Sequence, residues 1–255
     1  MRDNKKYKYQ NDFSTKHPNS SLHEIGVRRQ KAMKTISVLE DYLTDLGSLS
    51  ALDIGCSKGL MTSIYADSFE KVTAIDIDKP ALAFAIQNNS HTNLAYYHRD
   101  AMDTRFEDES FDVIICTHVY EHVPDSRKLM AEIHRLLKVG GVCYFAAGNR
   151  LVFLEGHYKL PLLSVVPKYV AHLYLRLFKK GTFYYEKHLT VWSLKKLVSE
   201  FKVIDYTQKI LMDPQKFHAT EMLKPGSLRQ KLGLWLLRMA YWLSPSYVWL
   251  LQKDK

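Results

Sequence analysis

The sequence predicts an α/β fold built on a doubly wound, mainly parallel sheet, and three observations carry that prediction. Short runs rich in β-branched and aromatic residues alternate with helical stretches from Ala51 to Ala146, the order that βαβ units impose. The first run ends in a glycine-bearing turn, Gly55-Cys56-Ser57-Lys58-Gly59, which opens directly into an apolar helical segment. Hydrophobic residues make up 46% and charged residues 25% of the 255, ordinary globular usage that excludes a disordered or fibrous chain. That length suits one large domain with additions better than two enzyme domains.

Residues 1–21 are polar, with Pro18-Asn19-Ser20-Ser21 as a turn cluster, and read as a mobile arm lacking the apolar core of an export signal. From Leu22 to Leu46 the apolar positions Ile25, Ile36, Leu39, Leu43 and Leu46 fall loosely at helical spacing, and Gly47 supplies a stop, so a helix precedes the first strand. Strands are expected at 51–54, 72–75, 94–98, 111–116 and 142–146, with helices at 60–69, 80–88 and 126–137. Regularity breaks after Asn149. Residues 151–190, with Pro161, Pro167 and an apolar, basic stretch, form an acceptor-side insertion. Residues 193–200 read as a helix capped by Ser193, 202–206 as a strand and 209–212 as its antiparallel neighbour. The main domain thus spans 22–212, and 213–255 form an apolar, basic, helical extension.

In open sheets of this kind ligands bind beyond the carboxyl ends of the strands. Gly55 permits close ligand approach or an unusual backbone angle, and Gly59 lets the next helix start tight against the sheet. Amides at that helix start suit a ligand carboxylate or phosphate. Asp53, at the strand end, supplies a negative charge that suits an amino group and repels a pyrophosphate. Asp76, ending the second strand, is placed to accept hydrogen bonds from both hydroxyls of a ribose, with Ile77 beside it, and Asp100-Ala101 after the third strand could read an adenine edge. Singly these features are ambiguous, because a glycine turn is often only a turn and a strand-end Asp often a helix cap; their order along the chain is what informs.

Leu52 to Gly59, Asp76, Asp100-Ala101 and Ser110-Phe111-Asp112-Val113-Ile114 through Glu121-His122-Val123-Pro124-Asp125 resemble the class I S-adenosylmethionine-dependent methyltransferases of the type 11, ubiquinone- and menaquinone-biosynthesis-like group. The resemblance covers about residues 22–150 and, more loosely, 193–212. It implies a Rossmann-like sheet of seven strands whose last inserts antiparallel, and S-adenosyl-L-methionine as cofactor. It further implies that Asp53, Gly55, Cys56 and Gly59 surround the methionine part, Asp76 and Ile77 the ribose, and Asp100 and Ala101 the adenine, with Thr117 and His118 near the sulfonium. Where the family turn commonly has glycine this chain has Ser57, whose hydroxyl can meet the cofactor carboxylate.

Methyl transfer from a sulfonium is an in-line displacement, so alignment and desolvation are the main tasks, and a base is needed when the acceptor is a hydroxyl. His157 is the first choice and His122 the second, with His188 also in reach; each has an alternative life as a hydrogen-bonded structural imidazole. In similar methyltransferases the region after the fifth strand faces the acceptor, which points to His157, Asn149 and Arg150, with Tyr184 and Tyr185 lining the same cleft or simply packing. No His, Cys or carboxylate spacing along the chain matches a metal site, so none is expected. Cys56, Cys116 and Cys143 sit in apolar runs, as in a reduced, cytoplasmic protein.

Net charge is +9, and from Gly156 onward 17 Lys and Arg face 6 Asp and Glu, so the basic character is C-terminal. Segments 162–178 and 228–251 mix Leu, Tyr and Trp with Lys, Arg and proline, which argues against a spanning helix and fits either helices lying on an anionic membrane surface or a cap over the site. Lysines interleaved with long apolar side chains disfavour nucleic acid as a partner. The acceptor is therefore expected to be a small-molecule or lipid-linked oxygen, or carbon, met in the cytoplasm or peripherally at the inner face of the membrane. Two alternatives compete: an NAD(P)-dependent oxidoreductase, which wants a three-glycine phosphate turn, and a non-catalytic basic binding module.

Overall fold

Seven strands form one sheet in the order β3-β2-β1-β4-β5-β7-β6. In the computed structural model, which describes residues 11, 13–16, 25–221 and 223–254, β1 (Ser50–Ile54), β2 (Lys71–Asp76), β3 (Leu94–His98), β4 (Phe111–Thr117) and β5 (Leu137–Gly148) pair in parallel. β7 (Ser246–Gln252) runs antiparallel between β5 and β6 (Lys202–Asp205). The order reverses at β1 and β4, and ligands of such sheets bind at that switch.

Period-2 alternation assigns each strand residue to one of two cores. Leu52, Ile54, Ile114, Cys116, Cys143, Phe145, Tyr247 and Trp249 join the core covered by α5 (Ser126–Leu136) and α7 (Val191–Leu197). Ala51, Val113, Ile115, Val142, Tyr144, Val248 and Leu250 face α2 (Ile25–Tyr42), α3 (Leu60–Ala66) and α8 (Thr207–Met212). Asp53 alternates with Ala51 and so turns toward α3, where Thr62 waits. α4 (Lys79–Gln87) follows β2 and is capped by Asp78, whose Oδ1 accepts from the Ala81 amide at 3.0 Å. Asp125 caps α5 in the same way through the Arg127 amide.

The expected mobile arm over 1–21 lies outside the described residues except for Asn11 and α1 (Phe13–Lys16), where the Ser14 amide and hydroxyl both donate to Asp78. The helix after the insertion is capped by Thr190, whose Oγ1 accepts from the Ser193 amide, so Ser193 lies inside the helix rather than at its cap.

The larger correction concerns the last strand. Residues 207–212 are helical, and the antiparallel strand is instead Ser246–Gln252. The presumed extension 213–255 therefore holds α9 (Leu228–Ala240), a 3-10 turn at Tyr241–Leu243, and then a buried strand inserted between β5 and the edge strand β6. A strand covered on both faces is a continuous apolar run, and Tyr247-Val248-Trp249-Leu250-Leu251 has no period to separate it from a buried helix. The main domain accordingly does not close at residue 212.

Candidate functional site

The turn after β1 is tied to the end of β2. Gly55, Ser57 and Gly59 all have positive φ, 77°, 51° and 74°. The Gly55 and Cys56 amides donate to the Ile75 carbonyl at 2.9 and 3.1 Å, and the Ser57 amide donates to Asp76 Oδ2 at 2.7 Å. Asp76 Oδ1 accepts from the Asp78 amide at 2.8 Å, so this carboxylate organises both turns that flank it. Glycine is required at two points for space as well as angle. A Cβ on Gly55 would come 2.9 Å from Val119 Cγ2, and one on Gly59 would collide with the Tyr96 hydroxyl.

Asp53 is buried and its Oδ2 accepts from the Thr62 hydroxyl at 2.6 Å. Burial, with Asp76 nearby, pushes its carboxyl up to about 7 against the pull of the Thr62 bond. A carboxyl with a raised folded-state pKa holds its proton better when folded, so stability falls as pH rises from about 4 to about 7 and the full cost persists above that. Asp53→Asn removes the charge and keeps an oxygen for Thr62. Thermal melts of the ligand-free protein are expected to show the variant more stable at pH 8, by up to about 4 kcal/mol, and level with the parent near pH 4. Equal melting at pH 8 would mean that the buried carboxylate carries no such cost.

The remaining sequence-predicted residues sit along the same carboxyl edge with varied local duties. The Ile77 carbonyl accepts from His98 Nε2 at 3.1 Å, and Asp100 Oδ1 accepts from the Met102 amide at 2.9 Å. Ala101 is half-buried against the core. The Cys56 thiol packs with Ala74 and Leu82, and burial pushes its pKa up, which suits packing rather than nucleophilic chemistry. Thr117 ends β4, and His118 follows with φ 56° and its amide on the Ala146 carbonyl at 2.8 Å. Along this edge the Asp53 end of β1, the Asp76 end of β2 and the Asp100 turn follow one another, an order that could hold an amine, a ribose and a purine. This order suits S-adenosylmethionine, and the partly exposed Asp76 retains lone pairs beyond its two amide bonds.

Beside the β1 turn, through Val119, lies a cluster of imidazoles and carboxylates drawn from three segments. His118, Glu121 and His122 come from the turn after β4, Glu155 and His157 from the loop after β5, and Glu186 and His188 from the irregular stretch that leads into α7. Glu155 is fully buried. Its Oε2 accepts from the His157 and Tyr158 amides at 2.8 and 2.7 Å, and its Oε1 lies 2.8 Å from His157 Nδ1. Two residues of separation in a tight turn thus let one carboxylate staple the loop and fix the ring. Burial alone would lower the His157 pKa; the Glu155 hydrogen bond and charge overcome it and raise it. Burial opposes ionisation of Glu155 too, yet the bonds from His157 and the Tyr158 amide, with His188 Nε2 3.5 Å from Oε1, hold it below its usual range.

His122 rests edge-on against His157, ring centres 5.0 Å apart, and burial lowers its pKa to about 4. Glu121 has both oxygens buried without a hydrogen bond, although His118 Nδ1 lies 3.3 Å from Oε1. Tyr120 locks the geometry: its hydroxyl donates to the Gly148 carbonyl at 2.6 Å and accepts from the Leu189 amide at 3.1 Å. His157 and His122 are therefore brought together, as their positions after β5 and β4 imply. His188, also a candidate from the sequence, joins them, 3.5 Å from Glu155 Oε1; the sequence does not reveal the partnership of Glu155 or the approach of Glu186, which the return of the chain past β5 creates.

Other acceptor-side expectations are corrected. Asn149 is fully buried, its amide donating to the Trp242 and Ser244 carbonyls and the Tyr247 hydroxyl, so it ties β5 to the chain leading into β7. Arg150 is held on the Ser164 and Val165 carbonyls. Tyr184 is buried among Leu160, Leu163, Ala171 and Leu175, while Tyr185 is half exposed.

A family model described as a methyltransferase domain matches residues 52–145. The ubiquinone biosynthesis O-methyltransferase of Psychrobacter arcticus is 32% identical over 192 residues, 70% of this chain and 71% of that protein. Its namesake in Hydrogenovibrio crunogenus is 27% identical over 172 residues, 66% of this chain. The chain spans 65% of that protein, just under two thirds of its length. Among solved structures, an S-adenosylmethionine-dependent methyltransferase from Mesorhizobium loti superposes with a TM-score of 0.55 at 18% identity, covering 86% of this chain and 97% of the other, a likeness of fold.

Proposed function

The chain belongs to the class I S-adenosylmethionine-dependent methyltransferases, and from that premise we propose that it transfers a methyl group to a hydroxyl oxygen of a small-molecule or lipid-linked acceptor. The cofactor of this family is S-adenosylmethionine, whose sulfonium supplies the methyl group. Asp53, Gly55, Cys56, Ser57 and Gly59 form the turn for its methionine part, Asp76 and Ile77 stand at the ribose, Asp100 and Ala101 at the adenine, and Thr117 and His118 toward the reacting end.

The observation that carries the oxygen acceptor is the Glu155–His157 pair. With Nδ1 engaged by a buried carboxylate, Nε2 is the ring nitrogen left to take a proton from the acceptor, and Glu155 steadies the imidazolium that results. His122, neutral beside it, narrows the cleft and lets an acceptor hydroxyl approach without adding charge. No metal is needed for this base.

The surface supports a lipid-linked acceptor over a freely soluble one. α6 (Lys168–Leu177) exposes Tyr169, Leu173 and Leu177, and α9 exposes Trp235 and Met239 beside basic residues, a composition suited to an anionic bilayer surface. Among the described residues no helix is long and apolar enough to cross a membrane. Incubating the protein and labelled S-adenosylmethionine with membrane and soluble extracts of its host tests the proposal: label is expected in the lipid fraction, lost with His157→Ala. Label confined to soluble metabolites ends the lipid-linked reading, and transfer to no acceptor in either extract counts against the methyltransferase reading itself.

A further inference from the structure

One member of the histidine cluster, His188, has no part in the base just described. Ligand atoms of Glu155, His157 and His188 all fall within 4.8 Å of one another. The Glu155 side chain is fully buried and that of His188 keeps 7% exposure. Neither His188 nitrogen makes a hydrogen bond, although Nε2 stands 3.5 Å from Glu155 Oε1. A buried polar group left in that condition destabilises the fold, a cost that a ligand on the ring would offset. The backbone makes room for this ring: a Cβ on Gly148 would come 3.2 Å from its Cε1 and Nδ1.

We infer that Glu155, His157 and His188 form a zinc site that switches the His157 base off. Two imidazoles and one carboxylate are a donor set that suits a borderline-soft divalent ion in tetrahedral geometry, with water or an anion as fourth ligand. Magnesium, which keeps an octahedral oxygen shell, fits this set poorly. The ion takes the place of the proton lying between His157 Nδ1 and Glu155 Oε1. The single proton of the neutral ring passes through solvent from Nδ1 to Nε2, and the freed Nδ1 lone pair bonds zinc. The nitrogen that accepts a proton in the metal-free enzyme thereby becomes a donor, and the acceptor hydroxyl loses its base. The spacing of these residues along the chain hides the site, because its ligands come from two separate loops.

The regulatory consequence rests on the methyltransferase reading; the metal site does not. Zinc and, as a control, magnesium are titrated into the purified full-length protein against a chromophoric chelator. One zinc per chain is expected for the wild type, bound at least tenfold more weakly by His188→Ala and by His157→Gln, with no response to magnesium. Circular dichroism and cofactor binding establish that each variant is folded. Absence of zinc binding in the wild type, or equal binding by both folded variants, overturns the site. Zinc binding at these residues without any methyl transfer supports the site while removing the reading it regulates; methyl transfer that stoichiometric zinc does not slow removes the switch.

Discussion

Asp76→Ala is expected to weaken binding of S-adenosylmethionine and of its demethylated product about a hundredfold or more. Two losses combine. The ribose hydroxyls lose a charged acceptor, and hydrogen bonds to a charged group contribute about 1.5–3 kcal/mol each, where about 1.4 kcal/mol is a factor of ten. The Ser57 and Asp78 amides lose the oxygens that hold them at 2.7 and 2.8 Å, so the cofactor turn also becomes less ordered before anything binds. Asp76→Asn, which keeps one acceptor oxygen, is expected to fall between the two. Calorimetric titration of folded protein checks this, and equal affinity in wild type and Asp76→Ala would contradict the ribose contact.

His157→Ala is expected to lower kcat by about a hundredfold to ten-thousandfold, the ordinary worth of a positioned base, while cofactor affinity stays within about twofold. The separation of effects follows from placement, since the ring belongs to the loop after β5 and the cofactor turn to the ends of β1 and β2. Glu155→Gln bears on the same step from behind. The substituted amide can still accept from one neighbour but places a donor among donors, because Glu155 takes hydrogen bonds from two amides as well as from the ring. A drop in kcat of about tenfold, with some loss of thermal stability, is expected for it. An unchanged kcat for His157→Ala, measured once an acceptor is in hand, would return that histidine to a structural role.

Much of the cofactor side was legible because each signal there is local. Gly55 and Gly59 announce positive φ one residue at a time, Asp53 and Asp76 stand at the ends of apolar runs, and helices join β1 to β2, β2 to β3 and β4 to β5, with only a loop between β3 and β4. The acceptor side was legible only in part. His157 and His122 were found from their places after strand ends. Asn149 was misjudged because a strand-end amide looks the same whether it faces a substrate or, as here, three oxygens contributed by residues 242–247.

The amino-acid order by itself determined the parallel βαβ core, the turn after the first strand and the acidic residues at the ends of the first three strands, since all of these depend on residues within about one helical turn or strand of one another. Only the tertiary structure decided that Ser246–Gln252 completes the sheet and that Glu155, His157, His188 and His122 meet. Both are contacts between distant segments: a strand buried on two faces carries no periodicity to declare its partners, and ligand atoms from separate loops carry no spacing.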